Sequence, residues 1–296
     1  MNLDDLIITV FCLIDDRLQE LRRHINWRTR GFAPKMSDAE VITLEIIGEY
    51  LGLDKENQLF SYFRRHHQEL FPQLKQIHRT TLTRQMANLW KIKEQLWQAV
   101  LPAEKDSLTC AVDSFPVSVC RFGRANRCKL FRGVAAFGRD HSTKATIYGF
   151  RLHVRCHYRT GLITRFAVAP ANESDLALLP PLAQYSSGVL LADRNYWSPE
   201  IIDGFKDQGL RLLVPFKKKK SDPNPQLSFY ISRHRQLIET VFSQLTQRFS
   251  IKQVRARDMW HLSNRIIRKV LAHTIGVLLC QKQGIPPLQL SKLFAF

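Results

Sequence analysis

Asp113 and Asp193 each close a short apolar run, Leu-Thr-Cys-Ala-Val before the first and Gly-Val-Leu-Leu-Ala before the second. Runs of this kind read as buried strands, and the carboxyl ends of strands in an open α/β sheet are where clefts and active sites are built. A third acid, Glu239, lies in Arg235-Gln-Leu-Ile-Glu-Thr-Val-Phe-Ser-Gln-Leu. Helical periodicity puts Ile238, Val241, Phe242, Leu245 and Phe249 on a buried stripe, with Glu239 about 100° off it, at the edge where helix would meet sheet. Arg235, one turn earlier, could pair with Glu239 or hold a phosphate. Three carboxylates suit phosphodiester chemistry. Two Mg²⁺ ions roughly 4 Å apart need bridging oxygen donors, and such a pair stabilises both the attacking and the leaving oxygen of an in-line displacement. Taken singly, each acid has a plainer reading: an Asp after a strand caps a turn, and a Glu within a helix faces solvent. Their joint placement in this element order is what argues for a site.

The elements that must position these acids come in two textures. Residues 1–105 read as helical. Leu6, Val10, Leu13, Ile14, Leu18 and Leu21 recur at helical steps, and Ser37-Asp38-Ala39-Glu40 is a capping box opening a helix through Val41, Leu44, Ile47 and Tyr50. A third segment runs from Thr80 to Val100. These helices, with basic flanks, fit either a helix-turn-helix that reads DNA or a helical cap over a catalytic core. Pro102 and Glu104-Lys105-Asp106 mark a boundary, giving a helical N-terminal domain over 1–105 and a second domain over 106–296.

Beyond that boundary Leu108–Val117 reads as a strand, and Arg159-Thr160-Gly161 splits Tyr148–Val154 from Leu162–Val168 as a hairpin. Ser174-Asp175 caps a helix ended by Pro180-Pro181, and Ser198-Pro199 opens another that stops at Gly209. Leu210–Phe216 is a further strand and His234–Phe249 a strong helix. The alternation predicts an α/β layer with a mixed sheet.

Charge narrows the partner. The 296 residues carry 44 Lys+Arg against 26 Asp+Glu, a net +18, and such a surplus favours a polyanion. Ribosome-associated and membrane-surface proteins share the surplus, so charge selects a class of partner and no activity. Ten cations (Arg121, Arg124, Arg127, Lys129, Arg132, Arg139, Lys144, Arg151, Arg155 and Arg159) surround a single acid, Asp140. Lys217, Lys218, Lys219 and Lys220 form a run after a strand end, read as a phosphate clamp or a loop. Arg255, Arg257, Arg265, Arg268 and Lys269 form a third group. Trp197 and Trp260 could stack on an unpaired base, although burial is the commoner fate of Trp. No apolar stretch approaches the roughly 18 residues of a membrane helix. The acidic start is unlike an export signal, and six cysteines show no framework spacing, so a cytoplasmic protein with free thiols is expected. Cys120, Cys128 and Cys156-His157 lack the paired spacing of a zinc motif.

Five segments in order resemble the core of insertion-sequence transposases: Val112-Asp113-Ser114-Phe115-Pro116-Val117, Tyr148–His153, Ala169-Pro170-Ala171-Asn172-Glu173-Ser174-Asp175, Ala192–Tyr196 and Ile238-Glu239-Thr240. The likeness spans roughly residues 108–275 and is greatest to the group numbered nine-eighty-two. It implies a DDE transposase with an RNase H-like catalytic domain, in which Asp113, Asp193 and Glu239 hold two Mg²⁺ ions, with Mn²⁺ able to substitute. It further implies double-stranded DNA partners (terminal inverted repeats and target), a homodimer on paired ends, and a nucleoid-associated location in a bacterium. Arg151, Arg194, Arg235, Arg248 and the lysine run 217–220 become DNA contacts. Ser232 stands where related families carry Tyr, Thr246 where they carry Lys, and Arg151 and Arg194 where they often carry Lys. A metal-dependent endonuclease that cuts without joining, and an inactive DNA-binding descendant of a transposase, are the alternatives.

Overall fold

The Ser37 hydroxyl accepts the Glu40 backbone N–H while the Glu40 carboxylate accepts that of Ser37, so the predicted capping box starts a helix at Asp38. This computed structural model of the chain describes residues 1–106, 109–140, 143–216 and 221–293. Two units emerge. The helical unit comprises residues 1–101, 245–251 and 256–296, and the mixed α/β unit comprises residues 102–244 and 252–255.

In the helical unit, α1 (Leu3–Arg22) buries Leu6, Val10, Ile14 and Leu18, the stripe expected from its period. Helix α2 (Asp38–Tyr50) is buried on nearly every face. Three further helices follow: α3 (Glu56–His66), α4 (Arg79–Asn88) and α5 (Trp90–Val100). The single segment expected over Thr80–Val100 is thus two helices broken at Leu89. A long helix, here called α9 (Met259–Lys282), is buried along most of its length. It carries Arg265, Arg268 and Lys269, which charge alone had grouped with the DNA-facing cations. Instead they are buried. Lys269 Nζ donates to Glu49 Oε2 at 2.9 Å, Arg268 Nε donates to Glu49, and Arg265 pairs with Asp54. Lys93 completes the network on Glu45, with both side chains fully buried. Buried charges require such partners, and these partners lie on α2 and in the turn after it. Residues 256–296 therefore join the helical unit, whereas the sequence reading had assigned them to 106–296.

The α/β unit is built on strands β1 (Cys110–Cys120), β2 (Ala136–Arg139), β3 (Thr146–His157), β4 (Ile163–Pro170), β5 (Gly188–Leu191) and β6 (Leu210–Leu213). Strand β3 runs antiparallel to β1 on one side and to β2 and β4 on the other, while β5 and β6 extend the sheet in parallel beyond β1. Gly161, at φ 70°, makes the turn of the β3–β4 hairpin. Gly138 is needed for closeness: an added Cβ would collide with the Ala171 carbonyl, so glycine lets β2 lie against the end of β4.

Pro180 and Pro181 lie in the first turn of α6 (Leu179–Ala183) and do not end a helix begun at Asp175, because proline is tolerated where the N–H needs no helical partner. The other helices are α7 (Pro199–Asp207), opened by Pro199 as expected, and α8 (Pro225–Ser243), which starts earlier than predicted and packs on β1 and β5. Cys110, Val112, Leu190, Ala192, Leu210 and Leu212 face α6 and α7 and form the core.

Candidate active site

Strands β1 and β5 are parallel neighbours, with Cys110 opposite Leu190 and Ala111 opposite Leu191. Two residues further along each chain come Asp113 and Asp193. Because side chains alternate with period two, both acids continue the Ala111 and Leu191 positions. The two aspartates therefore stand at one level on adjacent parallel strands. Asp193 lies just past the carboxyl end of β5, but Asp113 lies within β1, which continues to Cys120 and so does not end at its acid as the apolar run suggests.

Asp113 is held by helix α8 and by the next amide of its own strand, and Asp193 by its own turn. Asp113 Oδ1 accepts the Ser114 N–H at 2.8 Å, and Oδ2 takes the Arg235 guanidinium at 2.6 Å. Asp193 caps the 3₁₀ turn Arg194–Tyr196 by accepting the Asn195 N–H. Burial pushes the Asp113 carboxyl up to about 6; Arg235 and the Ser114 amide oppose that rise, and the Asp193 and Asp175 charges add to it.

Asp175 was read as a helix cap, and the structure gives it a different role. Ser114 Oγ donates to Asp175 Oδ1 at 2.5 Å, and Arg151 Nη1 donates to Ser114 Oγ at 3.1 Å. Arg151 also reaches the Arg139 carbonyl at 2.8 Å and lies 3.5 Å from Asp175. His153, opposite Ser114 in the β1–β3 ladder, is fully buried, with Nδ1 3.6 Å from Asp175. Burial, helped by Arg151 and opposed by Asp175, holds His153 down to about 4, so at neutral pH this contact is not an ion pair. Tyr196, also fully buried, has no hydrogen-bond partner for its hydroxyl among the described residues. Its acidity is suppressed by burial and by Asp175, Asp113 and Asp193 together. A sequence signal for this brace existed in the polar Ser114, Arg151 and His153 on otherwise apolar strands, but nothing in it pointed to Asp175 as their partner.

Glu239 is exposed on α8, one turn beyond Arg235, and among the described residues no polar partner engages it. Among those residues, too, no three His, Cys, Asp or Glu side chains are gathered closely enough to hold a metal ion. The thiols are all free. Arg151 and Arg235, read as DNA contacts, have their guanidinium groups on the acid cluster. Arg194 is partly exposed beside Asp193. Arg248 lies in the helical unit, where burial lowers its basicity and the Tyr50 hydroxyl raises it. Lys217, Lys218, Lys219 and Lys220 fall outside the described residues. Trp197 and Trp260 are both exposed, at 40% and 44%.

A model of the transposase DDE domain matches residues 103–259, more than half of the chain. The chain belongs to the DDE transposase family. No curated protein and no solved structure matches it. The acids of a DDE transposase serve divalent cations, and two features here fit that use. The donors are carboxylate oxygens, which hard cations prefer. Burial raises Asp113 and the Asp193 and Asp175 charges add to that rise, an unfavourable charge of the kind that a cation relieves, and the unpartnered Tyr196 hydroxyl lies in the same field. Among the described residues no helix is long and apolar enough to cross a membrane.

Proposed function

We propose that the protein cleaves DNA at the ends of an insertion sequence of the group numbered nine-eighty-two and joins the freed 3′-hydroxyl to target DNA. The observation that carries this reading is the proximity of Asp113 and Asp193, each two residues past the Ala111–Leu191 partners of β1 and β5, inside the stretch matched as a DDE domain. The sheet order supports an RNase H-like catalytic unit: antiparallel β4, β3 and β1, then parallel β5 and β6.

In this reading Asp113 and Asp193 hold the metal, with Glu239 completing the set from α8, one turn from the Arg235 contact. Two Mg²⁺ ions, replaceable by Mn²⁺, would supply charge stabilisation for the attacking and leaving oxygens. The chain's own groups do the positioning. Arg235 fixes one oxygen of Asp113, and Asn195 fixes one of Asp193. Arg151 holds Ser114 on Asp175 behind β1, so the first acid enters on a braced strand. Neutral His153 fills that brace without adding charge. Arg194, partly exposed next to Asp193 in the chain, is available to a phosphate. The helical unit binds the terminal inverted repeats, and two copies act on paired ends in the cytoplasm, at the nucleoid.

The test is cleavage of end DNA with Mg²⁺ by wild type and by Asp113→Asn. Nicks that leave a 3′-hydroxyl, made by wild type and lost in the variant while DNA binding persists, support the reading. Equal cleavage by both proteins would remove Asp113 from the mechanism.

A further inference from the structure

The stretch from Arg121 to Arg139 connects β1 to the edge strand β2 and takes no part in the acid cluster, apart from the Arg139 carbonyl that holds Arg151. It contains no acid. Arg121, Arg124, Arg127, Lys129, Arg132 and Arg139 are all exposed. Among the described residues Arg121, Arg124, Arg127, Lys129 and Arg139 form no ion pair. The nearest acid in the chain, Asp140, is 7% exposed and accepts the Thr143 hydroxyl at 2.9 Å. Its side chain is buried, so the segment's own exposed charges are all positive.

Between these cations stand large apolar side chains in contact with solvent. Phe122 is 58% exposed and Phe137 45%, and their rings meet edge to face with centroids 6.5 Å apart. Tyr148 backs Phe137 at 5.1 Å. Along β2 the exposed positions alternate, which puts Phe137 and Arg139 outward on the same face. The strand is pinned there through Gly138, so the ring is offered from a fixed edge and not from a loose loop. Exposed aromatics grouped within a cationic surface are uncommon on a soluble protein unless something covers them. A lipid or protein surface would not require so many unpaired cations, whereas a nucleic-acid strand requires both features: phosphates for the cations and base faces for the rings.

We infer that the Phe122–Phe137 pair is a stacking platform for unpaired DNA bases, with the surrounding arginines and Lys129 holding the strand's phosphates. The platform rests on the transposase reading and extends it, since it specifies a DNA substrate some of whose bases have left the duplex. Phe122 and Phe137 take the bases. Arg124, Arg127 and Lys129 track the backbone, and Arg139 lies beside Phe137 on the same strand face.

The experiment compares the full chain with Phe122→Ala/Phe137→Ala and with Arg124→Gln/Arg127→Gln/Lys129→Gln. The probes are a fully paired end duplex and the same duplex with a short unpaired 3′ tail carrying 2-aminopurine. Wild type is expected to prefer the tailed DNA and to quench its fluorescence. A stacked base contributes about 1–3 kcal/mol, roughly 5- to 150-fold, so the double Phe variant loses the preference and the quenching by at least fivefold. Its affinity for the paired duplex and its salt dependence stay as in wild type. The triple cation variant binds both probes more weakly with a shallower salt slope. If Phe137→Ala lowers the unfolding temperature, Phe122→Ala alone, at the more exposed position, reads the same effect. Wild type binding both probes equally, or a double variant that keeps the preference, overturns the platform while leaving the transposase reading intact. Failure of wild type to bind either DNA would remove the transposase reading itself. A change in oligomeric state of the Phe variant without DNA would mark the patch as a self-interface and also overturn the proposal.

Discussion

Replacing Asp113 with asparagine is expected to stabilise the metal-free protein at pH 8. In the folded chain burial and the neighbouring Asp193 and Asp175 charges raise this carboxyl from 3.8 to about 6, against the pull of Arg235. A raised acid contributes stability that is fully present below its unfolded value and is lost as pH rises through the folded value. Between pH 4 and pH 8 ionising Asp113 therefore costs the fold up to roughly 3 kcal/mol, at about 1.4 kcal/mol per tenfold change in proton affinity. Asparagine keeps the shape and an acceptor for Arg235 while removing the charge. The gain is expected to be about 2 kcal/mol at pH 8 and close to zero at pH 4. The assay is urea unfolding with chelator present, followed by hydrogen exchange of the β1 amides at Ala111 and Val112. Adding Mg²⁺ should then stabilise wild type and leave the variant unchanged, because only the ionised site gains from binding. A variant no more stable than wild type at pH 8 would refute the view that burial, reinforced by the neighbouring acids, penalises the Asp113 charge.

Three other outcomes follow from the same geometry. Glu49→Gln removes the common partner of buried Arg268 and Lys269 and is expected to cost about 3–5 kcal/mol in urea unfolding; a loss under 1 kcal/mol would show that the network reorganises freely. His273 is fully buried and held down to about 4 from 6.5. The unfolded chain therefore takes up a proton that the folded chain refuses as pH falls below 6.5, and wild type loses about 2 kcal/mol between pH 7 and pH 5 at this residue. His273→Leu is expected to remove that part of the acid sensitivity, and an unchanged pH profile would contradict it. Gly138→Ala forces a methyl against the Ala171 carbonyl and is expected to cost about 1–3 kcal/mol, with faster hydrogen exchange confined to β2.

The strand leading to Asp193 was legible because it is short, apolar and ends at its acid, whereas β1 runs on past Asp113 to Cys120, since the apolar Phe115 and Val117 continue its buried face. Ser37-Glu40 and Ser198-Pro199 were legible for a similar reason, since helix starts are written locally. Helix α9 was not. Its Arg265, Arg268 and Lys269 look like surface cations, and their partners Glu45, Glu49 and Asp54 lie more than 200 residues away. Asp175 was misread for the same cause. Ser-Asp before Leu is a local helix-start signal, and only β1 and β3 brought together show that Ser114, Arg151 and His153 converge on it. Glu239 was inferred from helical period, and that period does set it off the buried stripe of Ile231, Ile238 and Val241. How far it leans toward Asp113 depends on side-chain reach, which periodicity does not carry.

The most direct measurement is joint cleavage and strand transfer on the element's own ends with Mg²⁺ or Mn²⁺, comparing wild type with Asp193→Asn and Glu239→Gln. Wild type is expected to cut and join, and both variants to bind DNA yet do neither. Wild type that cuts without joining would identify a plain endonuclease. Wild type that binds without cutting would identify a DNA-binding descendant, and cleavage by Asp193→Asn at the wild-type rate would contradict the pairing of Asp113 and Asp193 as the catalytic centre.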